Sequence, residues 1–413
     1  MRALFKTVMP FLTLYGVILF VLGEYEVAGR WLTVLLVSLN VYLVIFSAKK
    51  KDMGLLLLFI FIVFYSIGPI KYYFLGMQIG FADYYESPVT VCETTLCLYL
   101  FLLTLFYFVK PKQKETYRIP THSNELVFLS CMVIAICCIV FGLRGENIFE
   151  GGGYGSADNE SSSLYEYGII PILIMLLYSN DKQKLWLTYL LAALFVLKDL
   201  MYGGRVGVIV LGFSFILLRV QYVWSQKRIL TVLFLGFIIM ASWGAYRGVA
   251  SGQLHLTLAD ANSSEVFFSS MRMHYMVGAN IITPSDRLES FFWFFVGIFL
   301  PGYMQPPIAN LSLYEQSTYP CGGGGLASSF FYVFLGYIGV VLLGLFVAWC
   351  LNQRTSKSDA VRFYVVMVIA STPRWFAYYP RQLFKYCVVS MIVFYIFERA
   401  FKTKIISGGG RKD

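Results

Sequence analysis

The chain has 413 residues, of which 58% are hydrophobic and only 14% charged, with a mean hydropathy of +0.68 and a formal net charge of +10 at pH 7. A soluble domain carries about 25% charged residues, so a water-soluble globular protein is excluded. The positive charge does not suggest nucleic acid either, because it is dispersed through alternate short connections between apolar runs.

A membrane-crossing helix needs about 20 apolar residues, within a range of about 17–25. Runs of this kind lie at 8–22, 31–48, 53–70, 89–109, 126–143, 168–179, 185–201, 206–223, 229–244, 326–350, 361–379 and 383–400. They predict an all-α polytopic membrane protein with about twelve transmembrane helices. The run at 8–22 lacks a small-residue cleavage site and reads as a first span rather than a signal peptide. The runs at 168–179 and 185–201 are short, and extend into 164–167 and 202–203. Basic residues gather at Arg2 and Lys6, at Lys49-Lys50-Lys51, at Lys110, Lys112 and Lys114, at Lys182 and Lys184, at Lys227-Arg228, at Arg354, Lys357 and Arg362, and at Lys402 and Lys404. That alternation is the signature of cytoplasmic loops. It predicts cytoplasmic termini and an even number of spans.

Three external segments are long: 71–88, 144–167 with Gly151-Gly152-Gly153 and a serine-rich acidic stretch, and 245–325. A single crossing within the aromatic stretch 291–300 would put 352–362 outside, against the charge rule. The stretch 291–305 is therefore expected to be interfacial or re-entrant, and 245–325 to form one large external loop; a pair of short crossings would preserve the same topology. Residues 401–413 read as a polar cytoplasmic tail. No linker rich in Pro, Ser or Gly divides the chain, so a single membrane domain over 1–413 is expected, and no internal repeat of the kind that builds many transporters is found.

Eight cysteines are scattered, mostly through apolar runs, with no C-x-x-C pair and no His/Cys cluster. No Walker loop or G-x-G-x-x-G is present either, so neither a metal nor a nucleotide cofactor is expected. The nearest external acidic pair is Glu24-Tyr25-Glu26. On the expected outer side, arginines predominate: Arg30, Arg144, Arg205, Arg247, Arg272, Arg287, Arg374 and Arg381, against Lys71, Lys198 and Lys385. Sidedness alone is indifferent between Lys and Arg. The planar, permanently charged guanidinium fork matches phosphate oxygens two at a time, which points to a phosphate or pyrophosphate site. The plainer reading pairs these arginines with Glu146, Asp158, Glu265 and Asp286.

Position adds to this. Lys198, Asp199 and Arg205 surround Gly203-Gly204, Glu93 lies near the outer end of its span, and Arg374 and Arg381 flank the last external turn. Charges at membrane depth face a cavity or a partner, so a cavity with a cationic wall, open to the outer leaflet, is expected. The stretch 271–277 is read as a strand or a loop. Its His274 can serve as a base, as a donor to phosphate or as a packed ring. The glycines at 322–325 offer an anion nest or a hinge.

At these residues the chain resembles the bacterial O-antigen and capsule repeat-unit polymerases of the Wzy type, related to the O-antigen ligases. The resemblance is carried by the span count, the long segment before the last three spans, Gly203-Gly204-Arg205 opening a span, and Gly323-Gly324-Gly325-Leu326-Ala327-Ser328-Ser329 followed by Gly336-Tyr337-Ile338-Gly339. Members often carry an acid just after that serine. Phe330 stands there in this chain, so Glu315 or another acid of the segment is expected to substitute. The resemblance implies a glycosyltransferase of the bacterial inner membrane, facing the periplasm, that joins polyprenyl-pyrophosphate-linked oligosaccharide repeat units into surface polysaccharide. Lipid pyrophosphate is then the leaving group, no cofactor is used, and a chain-length regulator is a further partner. The residues expected to carry the reaction are His274 or Glu315 as base, with Arg205, Arg247, Arg272, Arg287, Arg374 and Arg381 on the pyrophosphate. An O-antigen ligase passing glycan to lipid A core, a lipid-linked oligosaccharide flippase and a purely structural membrane protein are the alternatives.

Overall fold

The computed structural model describes residues 2–79, 86–110, 117–142, 163–201, 206–236, 238, 258–300, 304–312, 314, 324–401 and 404–406. Among the described residues the chain is helical apart from one short strand pair. In chain order the helices are α1 (Arg2–Val21), α2 (Tyr25–Lys49), α3 (Met53–Val63), α4 (Ile67–Leu75), α5 (Pro88–Phe108), α6 (Glu125–Phe141), α7 (Ser163–Tyr167), α8 (Ile169–Leu177), α9 (Lys182–Met201), α10 (Val206–Phe215), α11 (Gln221–Val223), α12 (226–236), α13 (Leu258–Gly278), α14 (Pro284–Val296), α15 (Ala327–Asn352), α16 (Asp359–Ala370), α17 (Thr372–Ala377) and α18 (Arg381–Ala400). Among the described residues, five helical stretches are long and apolar enough to cross a membrane: Tyr25–Lys49, Met53–Leu75, Pro88–Phe108, Val206–Val223 and Ala327–Thr355. Phe5–Val21, Glu125–Phe141 and Tyr165–Leu177 are shorter apolar helices. Large apolar side chains lie exposed along α1 (Phe11, Ile18), α2 (Val34, Val41), α6 (Leu129, Val133) and α9 (Leu190, Leu194). Hydrocarbon tolerates such faces and water does not. The protein is an all-α, multi-pass type of membrane protein.

Local sequence sets the helix starts. Ser87 opens α5 by a reciprocal capping box with Thr90, followed by Pro88 in the first turn. Thr283 and Asp286 do the same for α14, again with proline next. Asp52 accepts from the Leu55 amide at the head of α3, and Asn124 from Val127 at the head of α6. Such side chains satisfy amides that the helix leaves without partners. Asp181 accepts from the Lys184 amide at 2.8 Å, and this bond holds its carboxyl below the usual carboxylate range.

The chain forms two compact units, each gathered from three separate segments. The first comprises 1–112, 257–352 and 372–385. Its central helix is α5, which packs on α2, α13 and α15 and fully buries Leu98, Phe101, Leu102 and Leu105. The second comprises 113–256, 353–371 and 386–413. In it α6 packs on α8, α8 on α9, and α10 on α16. A short antiparallel pair, β1 (Thr121–Ser123) with β2 (Lys404–Ile406), sets His122 opposite Ile405. Part of the 401–413 tail is thus a strand.

One expectation is corrected. The stretch 271–277 is neither strand nor loop but belongs to α13, a 21-residue helix packed against α4, α5 and α15. Residues 266–274 of it are buried. Within 245–325 the described residues supply a buried helix and the amphipathic α14. The polar residues Ser269, Ser270, Arg272 and His274 meet other helices instead of solvent, which removes the apolar signal that marks a buried helix in sequence.

Candidate active site at Glu93, His274 and Ser329

The lead into α15 is fixed by glycine. Gly324 and Gly325 have φ of +102° and +151°, and a Cβ on Gly325 would come within 2.7 Å of Met273 Cε. The backbone conformation is what calls for glycine at both positions. The amide of Gly324 donates to Ser312 Oγ at 2.9 Å, that of Gly325 to the Ala377 carbonyl at 3.2 Å, and that of Leu326 to Ser270 Oγ at 2.8 Å. The last of these bonds ties the head of α15 to α13, and the other two tie it to Ser312 and to the end of α17.

The turn so placed carries Ser329, whose Oγ lies 3.2 Å from His274 Nε2. One turn on, Tyr332 stacks over the imidazole with centroids 4.3 Å apart and planes at 27°. On the other side of the ring, Nδ1 lies 3.4 Å from Glu93 Oε2, in the second turn of α5. Three helices remote in sequence thus bring a carboxylate, an imidazole and a hydroxyl into line. With the Nδ1 proton toward the carboxylate, Nε2 is left to accept from the serine. The 3.4 Å separation is an ion-pair distance, long for a hydrogen bond; resting active sites are often this loose. The side chain of His274 is 0% exposed and that of Glu93 17%, and Ser329 is 0% exposed.

The arginines divide. Arg272 is fully buried in α13, and two residues along a helix turn it about 200° from His274, onto another face. Arg287 of α14 donates from Nε to the Val333 carbonyl at 2.5 Å and from Nη2 to that of Tyr332 at 3.3 Å. These carbonyls would ordinarily be taken by the amides of Gly336 and Tyr337, but α15 is kinked at Leu335 and Gly336, the latter with φ +64° and ψ −154°. Arg287 therefore fills the gap that the kink opens, and is the cation bound to the turn that stacks on His274. Arg381 is 5% exposed and donates to Gln305 Oε1 at 2.5 Å, to the Trp293 carbonyl at 3.0 Å and to the Ala309 carbonyl. Its guanidinium also lies over the rings of Phe294 and Tyr379. It clasps the end of α14 to the following segment. Arg374 is half-buried, with its guanidinium 5.8 Å from the Tyr378 ring centroid. Arg205, Arg247 and Glu315 lie outside the described residues, as do Gly203-Gly204, Arg144 and Glu146.

Lys198 and Asp199 do not pair with each other: Lys198 donates to the Ile139 carbonyl and Asp199 accepts from the Val208 amide. Glu26 pairs with Arg30 at 2.6 Å. Among the described residues, no group of three His, Cys, Asp or Glu is arranged to hold a metal ion.

Sequence reasoning named His274 as a candidate base and missed its partners. One signal was present: Glu93 is the sole acid within the apolar run of α5, and an acid there calls for a partner. Which residue answers it is set by packing alone. No protein-family model, curated protein or solved structure matches the chain.

Proposed function

We propose that the protein is a glycosyltransferase that joins polyprenyl-pyrophosphate-linked oligosaccharide repeat units at the outer face of a bacterial inner membrane, with lipid pyrophosphate as leaving group and no cofactor. The observation that carries the reading is the alignment of Glu93, His274 and Ser329 within one helical unit. Transfer of a sugar to a hydroxyl needs a base to take the hydroxyl proton, and this cluster supplies one. Departure of pyrophosphate needs fixed positive charge. Of the described candidate arginines, Arg287 and Arg374 keep exposed surface for that role, together with Arg205 and Arg247. Arg381 and Arg272 are read as supports. The wider scheme has twelve spans, cytoplasmic termini and a site facing the periplasm, and it rests on the distribution of basic residues between the apolar runs.

The test is to incubate the purified, detergent-solubilised chain with a polyprenyl-pyrophosphate oligosaccharide, without nucleotide, and resolve the glycans on a gel. A ladder of repeat multiples supports polymerisation; glycan appearing only when lipid A core is added supports the ligase. Absence of product with both acceptors removes the glycosyl-transfer reading. A second reading is favoured by the 3.2 Å contact of Ser329 with His274: serine, histidine and carboxylate in this order serve acyl transfer in unrelated folds. Activity-based labelling with a fluorophosphonate, lost in Ser329→Ala, would favour it.

A further inference from the structure

The cluster is not equally accessible along its length. Its imidazole is 0% exposed and its serine 0%, whereas Glu93 keeps 17% of its side chain exposed. His274 is closed in by Tyr332 on its face, Ser329 at Nε2 and Glu93 at Nδ1. A substrate hydroxyl therefore meets the carboxylate first, and no route to either ring nitrogen is left that does not displace a side chain. Nothing in the sequence singles out Glu93 as the reacting end.

We propose that Glu93 is the catalytic base of the transfer, and that His274 and Ser329 are positioning residues behind it; this rests on the glycosyl-transfer reading above. The acceptor hydroxyl hands its proton to the free carboxylate oxygen of Glu93 as its own oxygen bonds to the donor's anomeric carbon. The bond from that carbon to the pyrophosphate oxygen breaks, and polyprenyl pyrophosphate leaves with the electron pair. The proton passes from Glu93 to water. His274 Nδ1 lies 3.4 Å from the other carboxylate oxygen and Ser329 Oγ 3.2 Å from Nε2, so the two side chains fix where the carboxylate sits.

The test compares rescue by small bases. Glu93→Ala and His274→Ala are each assayed with the lipid-linked oligosaccharide, alone and with added formate or imidazole. Glu93→Ala is expected to lose roughly 10²–10⁴-fold in rate, the usual range for a general base, and to regain activity with formate. His274→Ala is expected to lose less and to ignore imidazole, its ring site being enclosed. Rescue of His274→Ala by imidazole, with none of Glu93→Ala by formate, would overturn the proposal and make His274 the reacting base. Glu93→Gln, nearly isosteric, guards against a loss caused by misfolding: activity near wild type would also overturn it. Should the wild-type chain process no lipid-linked glycan, the glycosyl-transfer reading fails separately. The accessible end of the cluster is then identified by labelling Glu93→Cys and Ser329→Cys with a charged maleimide, with wild type as background. Labelling of the first alone upholds Glu93 as the open end, and labelling of the second in preference overturns it.

Discussion

At Gly336 the backbone sits at φ +64° and ψ −154°, a region that only glycine enters without strain. A Cβ there would touch nothing within 4 Å. Gly336→Ala thus isolates backbone cost from crowding, and a loss of about 1–3 kcal/mol in stability is expected, read as a lower midpoint in a detergent thermal melt. An unchanged midpoint would mean that the kink relaxes when the residue changes. Arg381 makes the opposite kind of contribution, through bonds and not through shape. Arg381→Lys should behave almost as badly as Arg381→Ala, since one ammonium cannot reproduce a fork that serves a side-chain amide and two carbonyls. Each acceptor left bare costs about 1–3 kcal/mol, so both variants should give a low folded yield by size-exclusion chromatography. A well-folded Lys variant would show that charge alone suffices. Of these two residues, the sequence singled out Arg381, as a ligand beside an external turn; its bonds to the Gln305 side chain and to two backbone carbonyls are ones that no composition argument can foresee.

At the scale of elements, the capped helices were legible. Ser87-Pro88, Thr283-Pro284, Asp52 and Asn124 announce their helices by residues that compete for free amides, a local effect. Helix α13 was not legible. Its burial comes from α4, α5 and α15 closing around it, a non-local effect, and its serines are invisible as links until α15 is seen against them. Ser270→Ala removes the acceptor for the Leu326 amide and loosens the turn carrying Ser329. The expected result is a two-part loss: stability down by about 1–3 kcal/mol, and transfer activity down further than that stability loss explains. Full activity in a folded Ser270→Ala variant would show that the turn is held well enough by the Gly324 and Gly325 bonds.

For the molecule as a whole, class was the easiest thing to read, because composition decides it. Division into two units was hidden, since each is assembled from three separated segments with no linker between them. The same geometry explains why the site escaped: Glu93, His274 and Ser329 come from three regions of the chain, and convergence of that kind leaves no spacing to detect. Sidedness, in contrast, is a sequence-level expectation open to direct measurement. Cysteines introduced at Lys50 and at Lys357 should both be blocked from an impermeant maleimide in intact cells and react after permeabilisation, while one at Glu24 should react at once. Reaction at Lys357 in intact cells would invert the last part of the scheme.

Helix α15 spans 26 residues, more than the roughly 20 that a bilayer requires, and its break falls near the end that carries Ser329 and Tyr332. The portion beyond Gly336 can change tilt to suit the thickness of the surrounding lipid, while the short leading portion stays moored to α13 and α14. The joint works as strain relief on a cable: a pull on the membrane-embedded length is absorbed before it reaches the terminal. Turnover in vesicles of short-chain and long-chain lipid should accordingly differ little for the wild-type chain. Gly336→Ala, by stiffening the joint, should make turnover depend on lipid length.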